Sequence, residues 1–172
     1  MHEQNSIKQN SEGFLLRGGQ LTNSVQSSSQ LNMLVFSHLR WDFVFQRPQH
    51  LLTRFARERR VVFWEEPRFE AVSAPTLDVS ARDGGLSVVV PIVPVGTDTE
   101  TTWYMQRELL AEFLGDFGLG EYVCWYYTPL ALNFTDKLEP AVVVYDCMDE
   151  LSAFRGAPPG LAKAEAELFL VA

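Results

Sequence analysis

One stretch of the sequence, residues 34–56, limits the folds open to this chain more than any other. It begins as a nearly continuous apolar run, passes through a loop dense in polar and aromatic side chains, and ends in a helical pattern. Continuous apolar runs are typical of parallel strands that are covered on both faces. The stretch therefore predicts a buried strand over residues 31–37, a loop over residues 38–46, and a helix that begins near Pro48.

The rest of the sequence continues this alternation. A second buried strand is predicted over residues 60–64. Asp83-Gly84-Gly85 marks a hairpin that is either a two-stranded excursion or an extension of the edge of the sheet, and Pro91 and Pro94 follow it. The later predicted elements are a helix that follows the capping-box spacing Thr97-Asp-Thr-Glu100, a strand over 121–127, a short helix to about 135, a strand over 141–145, and a helix from Leu161. This order predicts a Rossmann-like three-layer α/β/α fold whose mainly parallel sheet has four core strands.

The two ends of the chain are expected to differ from this core. Residues 1–30 are rich in Ser, Asn and Gln without a sustained period, which predicts a disordered tail before a domain at residues 31–172. The last helical pattern stops in mid-stripe at residues 170–172, without the glycine or turn that usually follows a helix. This favours a domain truncated at its C-terminus, one half of a larger doubly wound protein.

Composition and missing motifs argue against several classes of protein. The net charge of −8 disfavours a nucleic-acid-binding protein, and no apolar run has the roughly 18–20 residues that cross a bilayer. No G-x-G-x-x-G follows the first strand, which disfavours a dinucleotide-dependent enzyme. No Cys/His spacing is typical of zinc. We therefore predict no cofactor, no metal and no nucleic-acid partner, in a cytoplasmic protein with two buried, reduced cysteines.

Polar side chains follow each predicted parallel strand. They are His38 after the first strand, Glu65 and Glu66 after the second, Thr128 after the third, and Asp146, Asp149 and Glu150 after the last. Because the carboxyl ends of parallel strands meet at one edge of the sheet, these groups could act as acid and base or bind sugar hydroxyls. We predict His38 and Asp146 as catalytic, and Glu65 and Asp149 as substrate-binding. Asp149 could instead cap the turn that follows it.

The loop after the first strand supplies further candidates. Arg40, Trp41, Asp42 and Arg47 are predicted to bind substrate. The two arginines could equally pair with Asp42 or with the glutamates after the second strand, and the tryptophan could plug the core. The arginines at positions 54, 57, 59 and 60 form a solvated face, with weak contact to an anionic membrane surface as the alternative.

Three segments resemble a known family: residues 36–52, residues 62–67, and residues 144–154 with their Tyr-Asp-Cys-Met-Asp-Glu run. The Arg47-Pro-Gln-His50 pattern is the most specific part of the first segment. Over residues 32–172 the chain is similar to the N-terminal part of bacterial glycosyltransferases of the GT-B, family-4-like kind. The resemblance implies acceptor-side or cleft roles for the residues that match the motif, which are His38, Arg40, Trp41, Asp42, Arg47, Asp146 and Asp149.

For function, the resemblance implies two Rossmann-like domains that face a cleft. The N-terminal domain receives a glycan or lipid-linked acceptor, the missing C-terminal domain binds a nucleotide-sugar donor, and catalysis needs no metal. The chain would then be the acceptor side of a hexosyltransferase, inactive alone, located in the cytoplasm or peripheral to the inner membrane. The residues themselves leave open a stand-alone Rossmann-type module that binds a sugar or small anion without catalysis.

Overall fold

The structure, a computed structural model, describes residues 30–172, so the tail predicted at residues 1–30 lies, apart from Gln30, outside the described residues. Within this part of the chain, strands and helices alternate as the sequence predicts. In chain order they are β1 (Asn32–Ser37), α1 (Arg47–Phe55), β2 (Val61–Glu65), β3 (Arg68–Glu70), β4 (Thr76–Ala81), β5 (Leu86–Pro94), α2 (Thr99–Phe117), β6 (Tyr122–Tyr126), α3 (Leu132–Thr135), β7 (Val142–Tyr145) and α4 (Leu161–Val171).

All seven of these strands join one sheet. Five of them run parallel in the order β5-β2-β1-β6-β7. β3 continues from β2 beyond Glu66 and Pro67, and it pairs in parallel with the far end of β5. β4 pairs antiparallel with the other edge of β5. The mainly parallel sheet and its strand order confirm the predicted Rossmann-like α/β fold.

Helices cover both faces of the sheet and make three layers. Along β1, Leu34 and Phe36 face one side and Met33 and Val35 the other, because successive side chains of a strand point to opposite faces. The first side packs against α2, α3 and α4. The second side packs against α1 through Leu52 and its neighbours. Both faces of the central strands are therefore dry, which explains their continuous apolar sequences.

The predicted number of core strands was wrong. The Asp83-Gly84-Gly85 hairpin extends the sheet beyond β2, which was one of the two predicted alternatives. Its second strand, β5, is buried and pairs in parallel with β2, so the core has five strands and not four. The strand runs on through Pro91 to Pro94. Each proline lacks a backbone N–H donor, so prolines usually lie at the end or the edge of a strand, and β5 is longer than its sequence indicates.

Three local predictions also need correction. The cap of α2 is Asp98, whose side chain accepts from the backbone N–H of Thr101, and not the preceding threonine. Arg60 is not a solvated side chain, because its guanidinium donates to carbonyl oxygens at the end of α2 and lies 3.8 Å from the Phe117 ring centroid. Of the two cysteines predicted to be buried, Cys147 is exposed.

Candidate functional site

The strand order reverses between β1 and β6. From β1 the chain builds the sheet through β2 to β5, and α2 then returns it to the other side of β1, where β6 and β7 are added. In open α/β sheets, ligands bind at the carboxyl ends of the strands where the order reverses. The carboxyl ends of β1 and β6 therefore mark the expected site.

A pocket of about 220 Å³ opens at this place. Its polar wall consists of His38 after β1, Glu66 after β2, Thr128 after β6, and Arg155 in the segment before α4. Small-molecule sites usually measure roughly 300–1,000 Å³, so this pocket suits one part of a larger ligand.

His38 is the titratable group at the reversal point. Its Nδ1 lies 3.2 Å from the carbonyl oxygen of Tyr127, which directly follows β6. A carbonyl oxygen can only accept, so in the neutral ring Nδ1 carries the hydrogen and Nε2 is left as an acceptor. Burial lowers the pKa of His38 below its usual 6.5, against the raising effects of this hydrogen bond and of the Asp149 charge. The ring is therefore a neutral proton acceptor at neutral pH.

The other polar groups of the pocket differ in charge. Partial burial raises the pKa of the Glu66 carboxyl, and the Arg40 charge opposes this shift. Thr128 is buried, whereas Arg155 is exposed and makes no ion pair with another described residue. Imidazole, carboxyl, hydroxyl and guanidinium groups together suit a ligand that carries hydroxyls and one negative charge.

Arg40 and Glu65 hold the loop between β1 and α1. The buried Glu65 carboxylate accepts from Arg40 Nη1 at 3.0 Å and from the backbone N–H of Trp41 at 2.7 Å. Arg40 also donates to the carbonyl oxygens of Glu66 and Pro67. Arg40 is therefore paired with a glutamate after β2, as one of the two predicted alternatives had it. Neither Arg40 nor Glu65 lines the pocket.

The Trp41 ring faces α1 and not the pocket. It packs edge-on against Phe63 with ring centroids 5.0 Å apart, within the apolar cluster under that helix. This position matches the core-plug alternative.

Arg47 and Asp146 join α1 to the end of β7. Arg47 Nε lies 3.1 Å from Asp146 Oδ2, and the Asp146 side chain is only 9% exposed. The hydroxyl of Tyr127 is buried nearby without a hydrogen-bond partner among the described residues, and burial followed by the Asp146 charge raises its pKa. Neither Arg47 nor Asp146 lines the pocket, so the two residues predicted to be catalytic, His38 and Asp146, are not brought together there.

The two remaining aspartates are exposed. Asp42 pairs with Arg82 at 2.6 Å and does not line the pocket. Asp149 does not cap the turn at Leu151–Ala153, since Glu150 precedes that turn and no side chain caps it. The capping alternative is therefore wrong, and the effect of Asp149 at the site is its charge near His38.

Gln49 is a buried polar residue that the sequence reasoning missed. Its side chain donates to the carbonyl oxygens of Trp41 at 2.7 Å and Val44 at 3.0 Å, and accepts from the backbone N–H of Gln46 at 2.9 Å. The available signal was a glutamine directly after Pro48, at the third position of the helix, where its side chain can reach back to the backbone before the helix. Arg155 carried no such signal, because only the path of the chain after β7 brings it to the pocket.

No cluster of three or more His, Cys, Asp or Glu side chains among residues 30–172 is arranged to hold a metal ion. None of the helices described here is both long enough and apolar enough to cross a membrane. No protein-family model, curated protein or solved structure matches the chain. The fold and the pocket define a Rossmann-like α/β protein with a candidate ligand site where its strand order reverses.

Proposed function

We propose that the chain is the acceptor-binding domain of a GT-B glycosyltransferase that transfers a sugar from a nucleotide-sugar donor to a glycan or lipid-linked acceptor. The observation that carries the proposal is the neutral His38, which has a free Nε2 and lines the pocket at the reversal of strand order. The segments that resemble the family contribute His38 and Glu66 to this pocket.

In the proposed reaction, His38 acts on the acceptor. Nε2 takes the proton from an acceptor hydroxyl while that oxygen bonds to the anomeric carbon of the donor sugar. The bond from this carbon to the nucleoside diphosphate breaks, and the diphosphate leaves with the electron pair. Glu66 and Thr128 orient neighbouring hydroxyls, and Arg155 binds a negatively charged part of the acceptor.

Asp146 remains a candidate in this scheme, but its contacts favour a positioning role. Its carboxylate is paired with Arg47 and nearly buried. The carboxylate already accepts from Arg47 Nε and does not line the pocket, so it is not placed to contact an acceptor bound there. Asp146 would then fix α1 relative to β7, next to the wall that holds His38.

Histidine NMR tests the proposal directly. Uncharged and phosphorylated mono- and disaccharides, added to the ¹⁵N-labelled protein, should shift the imidazole signals of His38, and His38→Gln should abolish binding. His50→Gln is the matched control, since His50 is exposed on α1 and does not line the pocket. Tight binding of UDP- or GDP-sugars to this chain by calorimetry would contradict the acceptor-side assignment, as would the absence of any saccharide response.

The second candidate is a module that binds a sugar or small anion without turnover. It is favoured by two ion pairs, Asp146 with Arg47 and Glu65 with Arg40. Of the two residues predicted to be catalytic, only His38 is then free of an ion pair. A transfer assay on the enzyme that contains this chain separates the two. Release of nucleoside diphosphate that depends on both acceptor and His38 supports transfer, and saccharide binding without release supports the module.

A further inference from the structure

Three consecutive apolar residues are exposed at the tip of the loop between β1 and α1. Phe43, Val44 and Phe45 are 79%, 47% and 64% exposed. We call these three residues the aromatic tip. Two exposed phenylalanine side chains so close together favour a partner that covers them.

The chain holds the aromatic tip in place by specific contacts. The carbonyl oxygen of Val44 accepts from the buried Gln49 side chain at 3.0 Å, and the backbone N–H of Phe43 donates to the carbonyl oxygen of Arg40 at 3.3 Å. The Phe45 ring stands edge-on to His50, with centroids 4.5 Å apart. The tip is therefore a fixed surface that projects at the carboxyl edge of the sheet.

A basic face of α1 adjoins the aromatic tip. Arg47, His50 and Arg54 follow one another at helical spacing on the side opposite the buried Pro48 and Leu52. Arg54 is exposed, as is Arg57 just beyond the helix, and neither forms an ion pair with another described residue. We call Arg54 and Arg57 the free arginines.

The charge of this region is opposite to that of the whole chain. Residues 40–60 contain six arginines against two acidic residues, a net charge of +4, within a chain of net charge −8. Arg40 and Arg47 pair with Glu65 and Asp146 outside this segment, so the positive charge available to a partner lies mainly on the free arginines. An anionic surface therefore attracts this side of the molecule and repels the remainder, which orients the approach.

We propose that the aromatic tip and the free arginines dock the protein on an anionic lipid bilayer. The phenylalanines enter the boundary between headgroups and acyl chains, and the arginines contact lipid phosphates. A second copy of the chain is a poorer occupant, because two like-charged faces repel each other. The inference goes beyond the proposed function, since docking requires no sugar chemistry. It would place the carboxyl edge of the sheet beside the membrane.

Vesicle co-sedimentation tests the docking. The protein should bind vesicles of equimolar phosphatidylglycerol and phosphatidylcholine, bind pure phosphatidylcholine vesicles much less, and lose binding as salt is raised. Phe43→Ala combined with Phe45→Ala should weaken the partition by about tenfold or more. Replacing the free arginines by glutamine should weaken it by about fivefold for each charge removed.

Matched variants elsewhere on the surface serve as controls. Phe169→Ala removes an aromatic side chain of similar exposure, 61%, from α4, and Lys163→Gln removes one exposed charge from the same helix. Both should bind vesicles like the unchanged protein, and circular dichroism confirms that every variant is folded.

Three outcomes would overturn the proposal. The first is no binding to the anionic vesicles, and the second is equal binding to both kinds of vesicle. The third is concentration-dependent self-association that the double phenylalanine variant abolishes, which would assign the aromatic tip to a second copy of the chain.

Discussion

Burial and hydrogen bonding shift the pKa of His38 in opposite directions. Burial is the stronger influence and lowers the pKa of the ring below its usual 6.5, although the Tyr127 carbonyl and the Asp149 charge favour the protonated form. The unfolded chain therefore takes up the proton at a higher pH than the native protein. As pH falls below about 6.5, protonation favours the unfolded state.

This difference predicts a pH effect that depends on one side chain. The native protein should lose stability between pH 7.5 and 5 partly because of His38, and His38→Gln should reduce that loss. Urea unfolding at the two pH values measures it. An equal loss of stability between the two pH values in His38→Gln and in the unchanged protein would contradict the prediction.

Glu65 offers a second test on a single side chain. Glu65→Ala removes a buried carboxylate that binds Arg40 and the backbone of Trp41, and we expect a loss of about 2–4 kcal/mol in the free energy of unfolding. Asp42→Ala breaks the exposed pair with Arg82 and should cost less than about 1 kcal/mol. Similar losses for the two variants in denaturant titrations would count against the anchoring role of Glu65.

Single-residue roles were only partly predictable. The position of His38 follows from its place after a buried strand, because that position fixes the edge of the sheet to which it belongs. The partner of Arg40 could not be chosen from the sequence, since Asp42 and the glutamates after β2 were equally good by charge. The Arg47–Asp146 pair spans 99 residues, and nothing local in the sequence indicates it.

The turn between β4 and β5 packs against the end of α1. A Cβ atom at Gly85 would lie 2.7 Å from the carbonyl oxygen of Arg59, and Gly84 has a φ of +73° beside the carbonyl oxygen of Ala56. The backbone N–H of Gly85 also donates to Ala56 at 2.8 Å. The two glycines therefore serve a close approach between elements as well as the turn itself.

Alanine substitutions at two glycines should have opposite effects. Gly85→Ala forces the turn away from α1 and should cost about 1–3 kcal/mol. Gly115→Ala, in α2 with no atom near the added Cβ, should stabilise by about 0.5–1 kcal/mol. Thermal unfolding of both variants measures the two changes in stability. No loss of stability in Gly85→Ala would contradict the prediction, because it would show that the turn can move away from α1.

At the level of elements, periodic patterns predicted β1, β2, β6, β7 and the helices. The length of β5 and its place in the buried core were missed, because prolines such as Pro91 and Pro94 usually mark the end of a strand. The strand persists because both its faces are buried and its two edges are shared among three partners. Such partners lie outside any short sequence window.

For the molecule as a whole, the two cysteines report on folding. Cys124 is buried in β6 with its pKa raised to about 12 by burial, whereas Cys147 is exposed. A thiol reagent should therefore modify one cysteine rapidly in the native protein and the second only on unfolding. Cys147→Ser should remove the fast reaction. Rapid modification of both thiols would contradict the buried position of Cys124.

At the scale of the whole molecule, the position of the pocket was partly predictable from the parallel order of the strands. Once the sheet is parallel, strand ends gather His38, Glu66 and Thr128 at one edge. Arg155 reaches the pocket only because of the path that the chain takes after β7. Hydrophobic periodicity does not determine that path.

The central position of β1 also has a consequence during synthesis on the ribosome. One neighbour of β1 is β2, which is made soon after it, but the other is β6, where Asn32 pairs with Tyr122. At roughly 5–20 residues per second, translation needs about 5–20 seconds to supply that second neighbour. Throughout this interval one edge of an apolar strand is unpaired in the nascent chain, so slow codons between β5 and β6 should increase the demand for chaperones.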